Sequence, residues 1–354
     1  MKPRTYVLSV PIVGVLAAAL LAGCAGDPDR DGCDISSLGT TPISLAAAVM
    51  PSRLVAGSLA TDGQQIVASC TDGTCRWGAA GGAYETVSET GYAAITSDLT
   101  LVARKVGCSD IALVEVDGDE EVQRLEGLPN PKVTDASPVG EIAFSPDGRL
   151  VAGAGLEGDL IIWSVEDGDE VASTDLDNGI GSISFSPDGD LVAVASGDSV
   201  SVLEAESGDE VGTVAAAGGA DPVWSPDGRW IAGVTTSGSP TIWDAKTFKA
   251  VESLPGFDAA AIAFSPDSRS LAAAGNGGDG PQIDETRLQL WAPRALGGAG
   301  ATRDVTRTAP VGSNVIFSPD GTTLYTASPE AGVAAWDVDT GKTAGEFDQP
   351  PMSQ

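Results

Sequence analysis

Short apolar runs alternate with turn residues along most of the chain, which is typical of β-strands rather than helices. Residues 144–152 show the pattern: an apolar strand end, then Ser-Pro-Asp-Gly, then a second apolar run. In such a turn proline presets φ, aspartate caps backbone N–H groups and glycine takes a positive φ. Further strand-like runs follow, for example at 160–163 and 200–203. The pattern predicts segments that each open with a β-hairpin.

This hairpin segment recurs at a nearly constant interval, with steps of 41, 39, 40 and 53 residues between its aromatic positions. A second apolar position, most often tryptophan, follows 18 or 19 residues later, or 27 residues later in the repeat that starts at Phe264. A period near 40 indicates stacked supersecondary units. The aromatic positions are Phe144, Phe185, Trp224, Phe264 and Phe317.

Two weaker copies begin at Leu59 and Ile95 and bring the number of repeats to seven. Two later repeats contain the dipeptide Trp-Asp, at Trp243 and at Trp336. These features resemble the WD-repeat family, whose blades have four antiparallel strands with the tryptophan ending the third. The resemblance implies an all-β, seven-bladed β-propeller over residues 42–348, followed by a tail at 349–354.

The chain contains no histidine. It therefore lacks the Asp-His-Ser-Trp hydrogen-bond network of many WD repeats, and we expect a divergent branch that resembles bacterial, actinobacterial-type WD40-repeat lipoproteins.

The first residues predict export. Lys2 and Arg4 precede an apolar run at 7–20 that is too short for a stable membrane span. The run ends in Leu-Ala-Gly-Cys, which resembles a bacterial lipoprotein signal. The resemblance implies that residues 1–23 are removed and that Cys24 is lipidated. An ordinary signal cleaved near Ala22 is the alternative. Residues 24–41 then form an acidic tether to the outer face of the cell membrane.

Four other cysteines would lie in an oxidising compartment, where disulfides form. Cys70 and Cys75 bracket a predicted turn between the second and third strands of the first repeat. Of the three possible pairings we favour Cys70–Cys75 with Cys33–Cys108. A zinc site is the poorer interpretation, because exported thiols oxidise and no histidine can complete a mixed site.

The charge disfavours nucleic acid as a partner. With 19 basic and 50 acidic residues the net charge is −31, which repels phosphate backbones. Many acids fall in predicted turns between third and fourth strands, at 117–121, 166–170 and 206–210. We interpret them as solubilising turns that protect edge strands. A surface for divalent cations or a basic partner is the alternative.

The missing histidine also excludes Ser-His-Asp and Cys-His nucleophiles and histidine-bearing zinc hydrolase motifs. No phosphate-binding loop or dinucleotide fingerprint occurs in a strand-to-helix context, so we expect no cofactor and no metal. A carboxylate pair acting on a glycan remains possible, but no spacing singles out a pair.

Three insertions interrupt the repeats: 128–138 between the second and third, 275–285 within the sixth, and 293–310 between the sixth and seventh. Connections of these kinds emerge on one face of a propeller, and binding residues concentrate in such loops. The alternative is that they are tolerated surface loops. The candidate contact residues are Asn130, Lys132, Asp135, Asn276, Asp279, Gln282, Asp284, Arg294 and Arg303.

These observations predict a membrane-anchored, monomeric, non-catalytic binding or scaffold module for an envelope protein, a peptide or a cell-wall component. A glycan-acting enzyme with a carboxylate pair at the channel mouth and a sensor subunit of a membrane signalling protein are the alternatives.

Overall fold

The computed structural model describes residues 54–348, apart from 71–72, 89–92, 107–109, 118–119, 129–138, 156–157, 216–220, 236–237, 255–256, 278–285, 307–313, 329–331 and 346. Within these residues 28 β-strands form seven four-stranded antiparallel sheets, here called blades.

Each blade is one contiguous stretch of chain with its four strands in sequence order. Blade 1 contains β1 (Leu54–Thr61), β2 (Gln65–Cys70), β3 (Gly73–Gly78) and β4 (Tyr84–Ser88). Blade 2 contains β5 (Ala94–Ile95), β6 (Leu101–Val106), β7 (Asp110–Glu115) and β8 (Glu121–Leu125). Blade 3 contains β9 (Val139–Phe144), β10 (Leu150–Gly155), β11 (Asp159–Ser164) and β12 (Glu170–Asp175). Blade 4 contains β13 (Ile180–Phe185), β14 (Leu191–Ser196), β15 (Ser199–Glu204) and β16 (Glu210–Ala215).

The last three blades follow the same plan. Blade 5 contains β17 (Val223–Trp224), β18 (Trp230–Val234), β19 (Pro240–Asp244) and β20 (Ala250–Ser253). Blade 6 contains β21 (Phe257–Phe264), β22 (Leu271–Gly277), β23 (Thr286–Ala292) and β24 (Ala301–Thr306). Blade 7 contains β25 (Asn314–Phe317), β26 (Thr323–Ser328), β27 (Gly332–Asp337) and β28 (Thr343–Gly345).

The first strands of successive blades contact one another in turn, and β25 contacts β1. The first strands therefore surround a central axis and the ring is closed, which confirms the predicted seven-bladed propeller. The first-to-second and third-to-fourth turns share one face, here called the turn face. The second-to-third turns and the links between blades share the other, here called the loop face.

A serine and an aspartate close the hairpin that opens each regular blade. In blade 3, Ser145 Oγ donates to Asp147 Oδ1 (2.7 Å) and accepts from the backbone N–H of Leu150 (2.9 Å). Burial raises the pKa of Asp147, but hydrogen bonds from Ser145 and Arg149 outweigh it and hold that pKa at about 2. The other serine–aspartate pairs are Ser186–Asp188, Ser225–Asp227, Ser265–Asp267 and Ser318–Asp320.

The same turns also join neighbouring blades. A Cβ built on the turn glycine Gly321, whose φ is +73°, would lie 3.5 Å from Pro266 in the turn of the preceding blade. In blade 6 the glycine position is Ser268, whose φ is +60°. Its hydroxyl accepts a hydrogen bond from the backbone N–H of Asp227 in blade 5 (3.0 Å). The turns thus form a continuous contact around much of the turn face.

The repeated tryptophans lie in the third strands, as predicted, and pack between blades. Trp77, Trp163 and Trp291 are each no more than 2% exposed. Trp163 Nε1 donates to the backbone oxygen of Glu126 in blade 2 (3.2 Å), so the indole satisfies its polar atom across the blade interface. Trp230 lies in the second strand of its blade.

The carboxyl-terminal segment completes the ring without exchanging a strand. Phe347 forms a parallel bridge with Gly82 of blade 1 and is 9% exposed. Its ring stands edge-on to Tyr325, with 6.4 Å between ring centroids. Trp77 Nε1 donates to the backbone oxygen of Asp348 (2.9 Å). Blades 1 and 7 are therefore joined by side-chain packing and a few hydrogen bonds.

Replacement of a turn serine should destabilise the fold. Ser225 is fully buried, and its hydroxyl accepts from the N–H of the buried Trp230 (3.0 Å). Ser225→Ala leaves that N–H without its partner, so we expect a loss of about 1–3 kcal/mol in the free energy of unfolding by urea. Ser207→Ala, in an exposed third-to-fourth turn, should change it by less than about 0.5 kcal/mol. Equal effects would contradict the role assigned to the serine.

Phe347→Ala should loosen the joint between blades 7 and 1. The substitution removes an aromatic ring from a cluster that includes Trp77 and Tyr325, so we expect a loss of about 3 kcal/mol. Hydrogen exchange should accelerate first in blades 1 and 7. Val251→Ala, at a site that is 47% exposed, is the matched control. Uniform acceleration in all seven blades would argue against a local joint.

Candidate functional site

The first two predicted insertions occupy the connections assigned to them. Residues 128–138 fall between β8 and β9. Of residues 275–285, the first three belong to the end of β22 and the rest fall between β22 and β23, so both connections join strand ends at the loop face. The strand position of Asn276 is described, opposite Thr286. The remaining candidates in these insertions lie outside the described residues: Asn130, Lys132, Asp135, Asp279, Gln282 and Asp284.

The prediction for the third insertion was wrong in its placement. Most of residues 293–310 form the third-to-fourth turn of blade 6, with a single 3₁₀ turn at Arg294–Leu296, and the fourth strand β24. The error arose because the glycine-rich turn before Ala301 and the polar strand after it have the composition of a single long loop. Arg294 therefore lies at the turn face. Arg303 lies on β24 and donates to the backbone oxygens of Val338 and Asp339 in blade 7, which is a structural role.

The structure describes only two of the cysteines for which predictions were made, Cys70 and Cys75. Cys24 and Cys33 precede the described residues, and Cys108 lies in a gap. Cys75 is disulfide-bonded, but its partner is not among the described side chains. Cys70 pairs with Gly73 at the end of the hairpin, and Cys75 pairs with Ala68. The two cysteines thus lie on the two strands of one hairpin, and the pairing Cys70–Cys75 stays a prediction.

A group of polar side chains that the sequence analysis did not select lies near the loop-face end of the first strands, where the strands surround the axis. Glu141 is on β9, Ser182 is on β13, and Asp221 precedes β17 by two residues. Lys105, near the end of β6 in blade 2, is close enough to Glu141 for their charges to interact, and so is Asp221. Ser182 donates a hydrogen bond to Asp221. We call these four residues the channel cluster.

The environment of the channel cluster shifts its charges. Glu141 and Asp221 are open to solvent and Lys105 is half-buried, yet the converging strands surround all three and limit their hydration. Desolvation raises the pKa of Glu141 to about 7; the Lys105 ammonium opposes this rise and the Asp221 carboxylate adds to it. Desolvation also raises the pKa of Asp221, against the hydrogen bond from Ser182, and lowers the pKa of Lys105.

The turn-face ends of the first strands in blades 5, 6 and 7 are lined mainly by apolar residues. A cavity of about 540 Å³ runs along the first strands and turns of blades 5, 6 and 7. Trp224, Phe264 and Phe317 line it, together with the turn prolines Pro226, Pro266 and Pro319. Because these prolines belong to the first-to-second turns, the cavity lies at the turn-face end of the first strands, whereas the channel cluster lies near their loop-face end.

The sequence contained a signal for the channel cluster that the repeat analysis did not use. Glu141, Ser182 and Asp221 each stand three residues before the aromatic position of their repeat. They differ in residue type, so a search for recurring residues passes over them. A comparison of unlike residues at equivalent positions would have found them.

No group of three or more histidine, cysteine, aspartate or glutamate side chains suited to a metal ion occurs among the residues that the structure describes. In the same part of the chain no helix has the length and hydrophobicity of a membrane span.

The stability of the protein should depend on pH through Glu141. Its pKa is raised from 4.5 to about 7 on folding, so the folded state holds this proton more tightly and stability falls as pH rises across that window. Glu141→Gln abolishes this loss. After allowance for solvent screening, its stability relative to the unmodified protein should increase by about 1 kcal/mol between pH 5 and pH 8 in urea unfolding. Glu166→Gln, in an exposed turn, should show no such change, and a flat difference for Glu141→Gln would refute the shift.

Comparison with known proteins agrees with this architecture. The family model described as "WD domain, G-beta repeat" matches residues 130–164 and 171–203, which cover most of blade 3 and much of blade 4. No curated protein matches the chain. The closed ring of seven four-stranded blades shows a seven-bladed β-propeller, and the repeat matches and third-strand tryptophans support its assignment to the WD-repeat family.

Proposed function

We propose that this propeller is the binding module of an exported, lipid-anchored protein, and that it takes its ligand at the loop-face end of the channel without catalysing a reaction. WD-repeat propellers commonly serve as binding or scaffold modules, and they are typically non-catalytic. The anchoring part of the proposal rests on the sequence alone, on the apolar run that ends at Cys24. The partner is an envelope protein, a peptide or a cell-wall component.

The channel cluster is the observation that carries the proposal. The charge of Glu141 interacts with those of Lys105 and Asp221, and desolvation shifts the pKa of each of the three groups. Partly desolvated charges contribute little to folding, and like charges placed together oppose it. Their presence where the loop face opens is therefore better explained by a ligand than by stability.

Glycan hydrolysis is a second candidate, because Glu141 and Asp221 are now a specific carboxyl pair. A glycosidase needs one protonated and one ionised carboxyl group at the same pH. Glu141, with a pKa of about 7, suits the acid. Asp221 would be the ionised group, but desolvation raises its pKa as well. Because desolvation raises the pKa of both carboxyl groups and does not separate their roles, the pair favours binding over hydrolysis.

The test uses the full-length, lipidated protein in detergent, with a double variant Glu141→Gln/Asp221→Asn that preserves side-chain size. Envelope extract from the source organism is passed over each protein, and a captured partner is then purified and titrated by calorimetry. The matched control is Glu206→Gln/Asp209→Asn, which removes two acids from an exposed turn on the turn face.

We expect the unmodified protein and the control to bind the partner equally, and the double variant to bind it at least tenfold more weakly. Equal binding by all three would overturn the channel as the site. Release of sugars from cell-wall glycan by the unmodified protein, abolished by Glu141→Gln alone, would establish the second candidate instead. A variant with residues 275–285 shortened to a tight turn tests whether the loops of the same face also contribute.

A further inference from the structure

We propose that Asn178, in the link between blades 3 and 4, is a site of spontaneous deamidation in the folded protein, and that the other Asn-Gly pair of the chain, at Asn276, is protected by its strand. This inference concerns a chemical modification of the loop face and does not depend on the proposed binding function.

The sequence contains two chemically equivalent sites. Of its four asparagines, Asn178 and Asn276 are each followed by glycine. Asparagine is a thermolabile residue, and a following glycine makes its side-chain amide more reactive because no Cβ obstructs attack by the glycine nitrogen. The sequence alone therefore predicts the same modification at both positions, and only the structure distinguishes them.

The link that contains Asn178 lies outside the sheets. Residues 176–179 join β12 to β13, and neither Asn178 nor Gly179 belongs to a strand. Asn178 is exposed, so water and base reach its side chain. Backbone outside a sheet changes conformation at a lower cost than paired backbone, so the Gly179 nitrogen can approach the side-chain carbon of Asn178. The folded protein therefore permits ring closure at this site.

The second pair lies in a strand that is paired on both sides. Asn276, near the end of β22, pairs with Asp258 of β21 and with Thr286 of β23, and Gly277 pairs with Phe257. These ladders fix an extended backbone, so ring closure at Asn276 requires the end of the sheet to open first. We therefore expect β22 to suppress the reaction.

A hydrogen bond at Asn178 favours the first step of the reaction. Ser196, which is 7% exposed, donates its hydroxyl to the backbone oxygen of Asn178 (2.8 Å). That oxygen and the N–H of Gly179 belong to one peptide group, so the bond draws electron density from the nitrogen and makes its proton easier to remove. The structure thus adds an activating contact to the exposure of the site.

The reaction needs only water as co-reactant. The Gly179 nitrogen loses its proton to base and forms a bond with Cγ of Asn178; the Cγ–Nδ2 bond breaks, and the amide nitrogen takes up a proton and leaves as ammonia. Water then opens the resulting succinimide. Attack at Cγ gives aspartate, and attack at the main-chain carbonyl gives isoaspartate, which lengthens the main chain by a methylene group. Both products add a carboxyl group to the loop face.

The experiment incubates the full-length protein at mildly alkaline pH and follows both sites by mass spectrometry, after digestion with pepsin at acidic pH. In the folded protein we expect Asn178 to lose its amide at least about tenfold faster than Asn276. In urea, where both sites are unfolded, the two rates should agree within about twofold. Equal rates in the folded protein, or an intact Asn178, would overturn the proposal. The same difference in urea would trace the selectivity to local sequence and would also overturn it.

Two variants test the proposed chemistry. Gly179 does not have a positive φ, so Gly179→Ala is compatible with the link, and its methyl group should slow the loss of the amide at Asn178 at least about tenfold. Gly277→Ala is the matched control and should leave the rate at Asn178 unchanged.

Ser196→Ala should deamidate at Asn178 about threefold more slowly than the unmodified protein when folded, and at the same rate in urea. A faster reaction in folded Ser196→Ala would show that the hydrogen bond restrains the link, and it would overturn the activating role assigned to Ser196.

Discussion

The hydrogen bond between a turn serine and the aspartate two residues later is the interaction on which the architecture depends. It closes the first hairpin of each regular blade and presents the serine oxygen to a backbone N–H of the second strand. Because the first strand lines the channel, the turn fixes where each channel-facing residue lies relative to the axis. The glycine and proline of neighbouring turns then set the distance between blades. One local motif thus determines both the hairpin and the spacing of the ring.

The outer strands add a second set of contacts between neighbouring blades, in which each blade again contacts the blade before it. Third-to-fourth turns pack against the fourth strand of the preceding blade. For example, Arg303 on β24 of blade 6 donates to the backbone oxygens of Val338 and Asp339 in the third-to-fourth turn of blade 7. The backbone N–H of Ala295 donates in the same way to Glu252 of blade 5 (2.8 Å). Since every blade is a contiguous segment, no shared strand holds the ring closed. Phe347 and Asp348 add to the packing between blades 1 and 7 that closes the ring.

The sequence predicted what repeats and little of what differs. The Ser-Pro-Asp-Gly turn and the tryptophan of the third strand are periodic, so they revealed the blades, their number and the strands on either side of each turn. Residues 293–310 were misplaced because their glycine and polar residues do not show the alternating apolar pattern of a strand. Only the pairing with β23 shows that Ala301–Thr306 is a strand. The role of the turn serine was missed because it bonds at once to the aspartate two residues later and to a backbone N–H five residues later, and the residue pattern of the turn shows neither bond. The channel cluster was missed because it is formed by unlike residues from four blades.

The channel cluster shows no repeat signal in the sequence for a physical reason. Positions that every blade needs for packing are constrained to one residue type, and they yield the repeat. The position three residues before each aromatic faces the channel, where packing makes no such demand. Blades 6 and 7 have Ala261 and Asn314 there, while blades 3 to 5 have Glu141, Ser182 and Asp221. Among blades 3 to 7, the charged residues at this position are thus confined to blades 3 and 5. Since desolvation opposes charge at these positions, the presence of Glu141 and Asp221 there supports the binding site proposed for the channel.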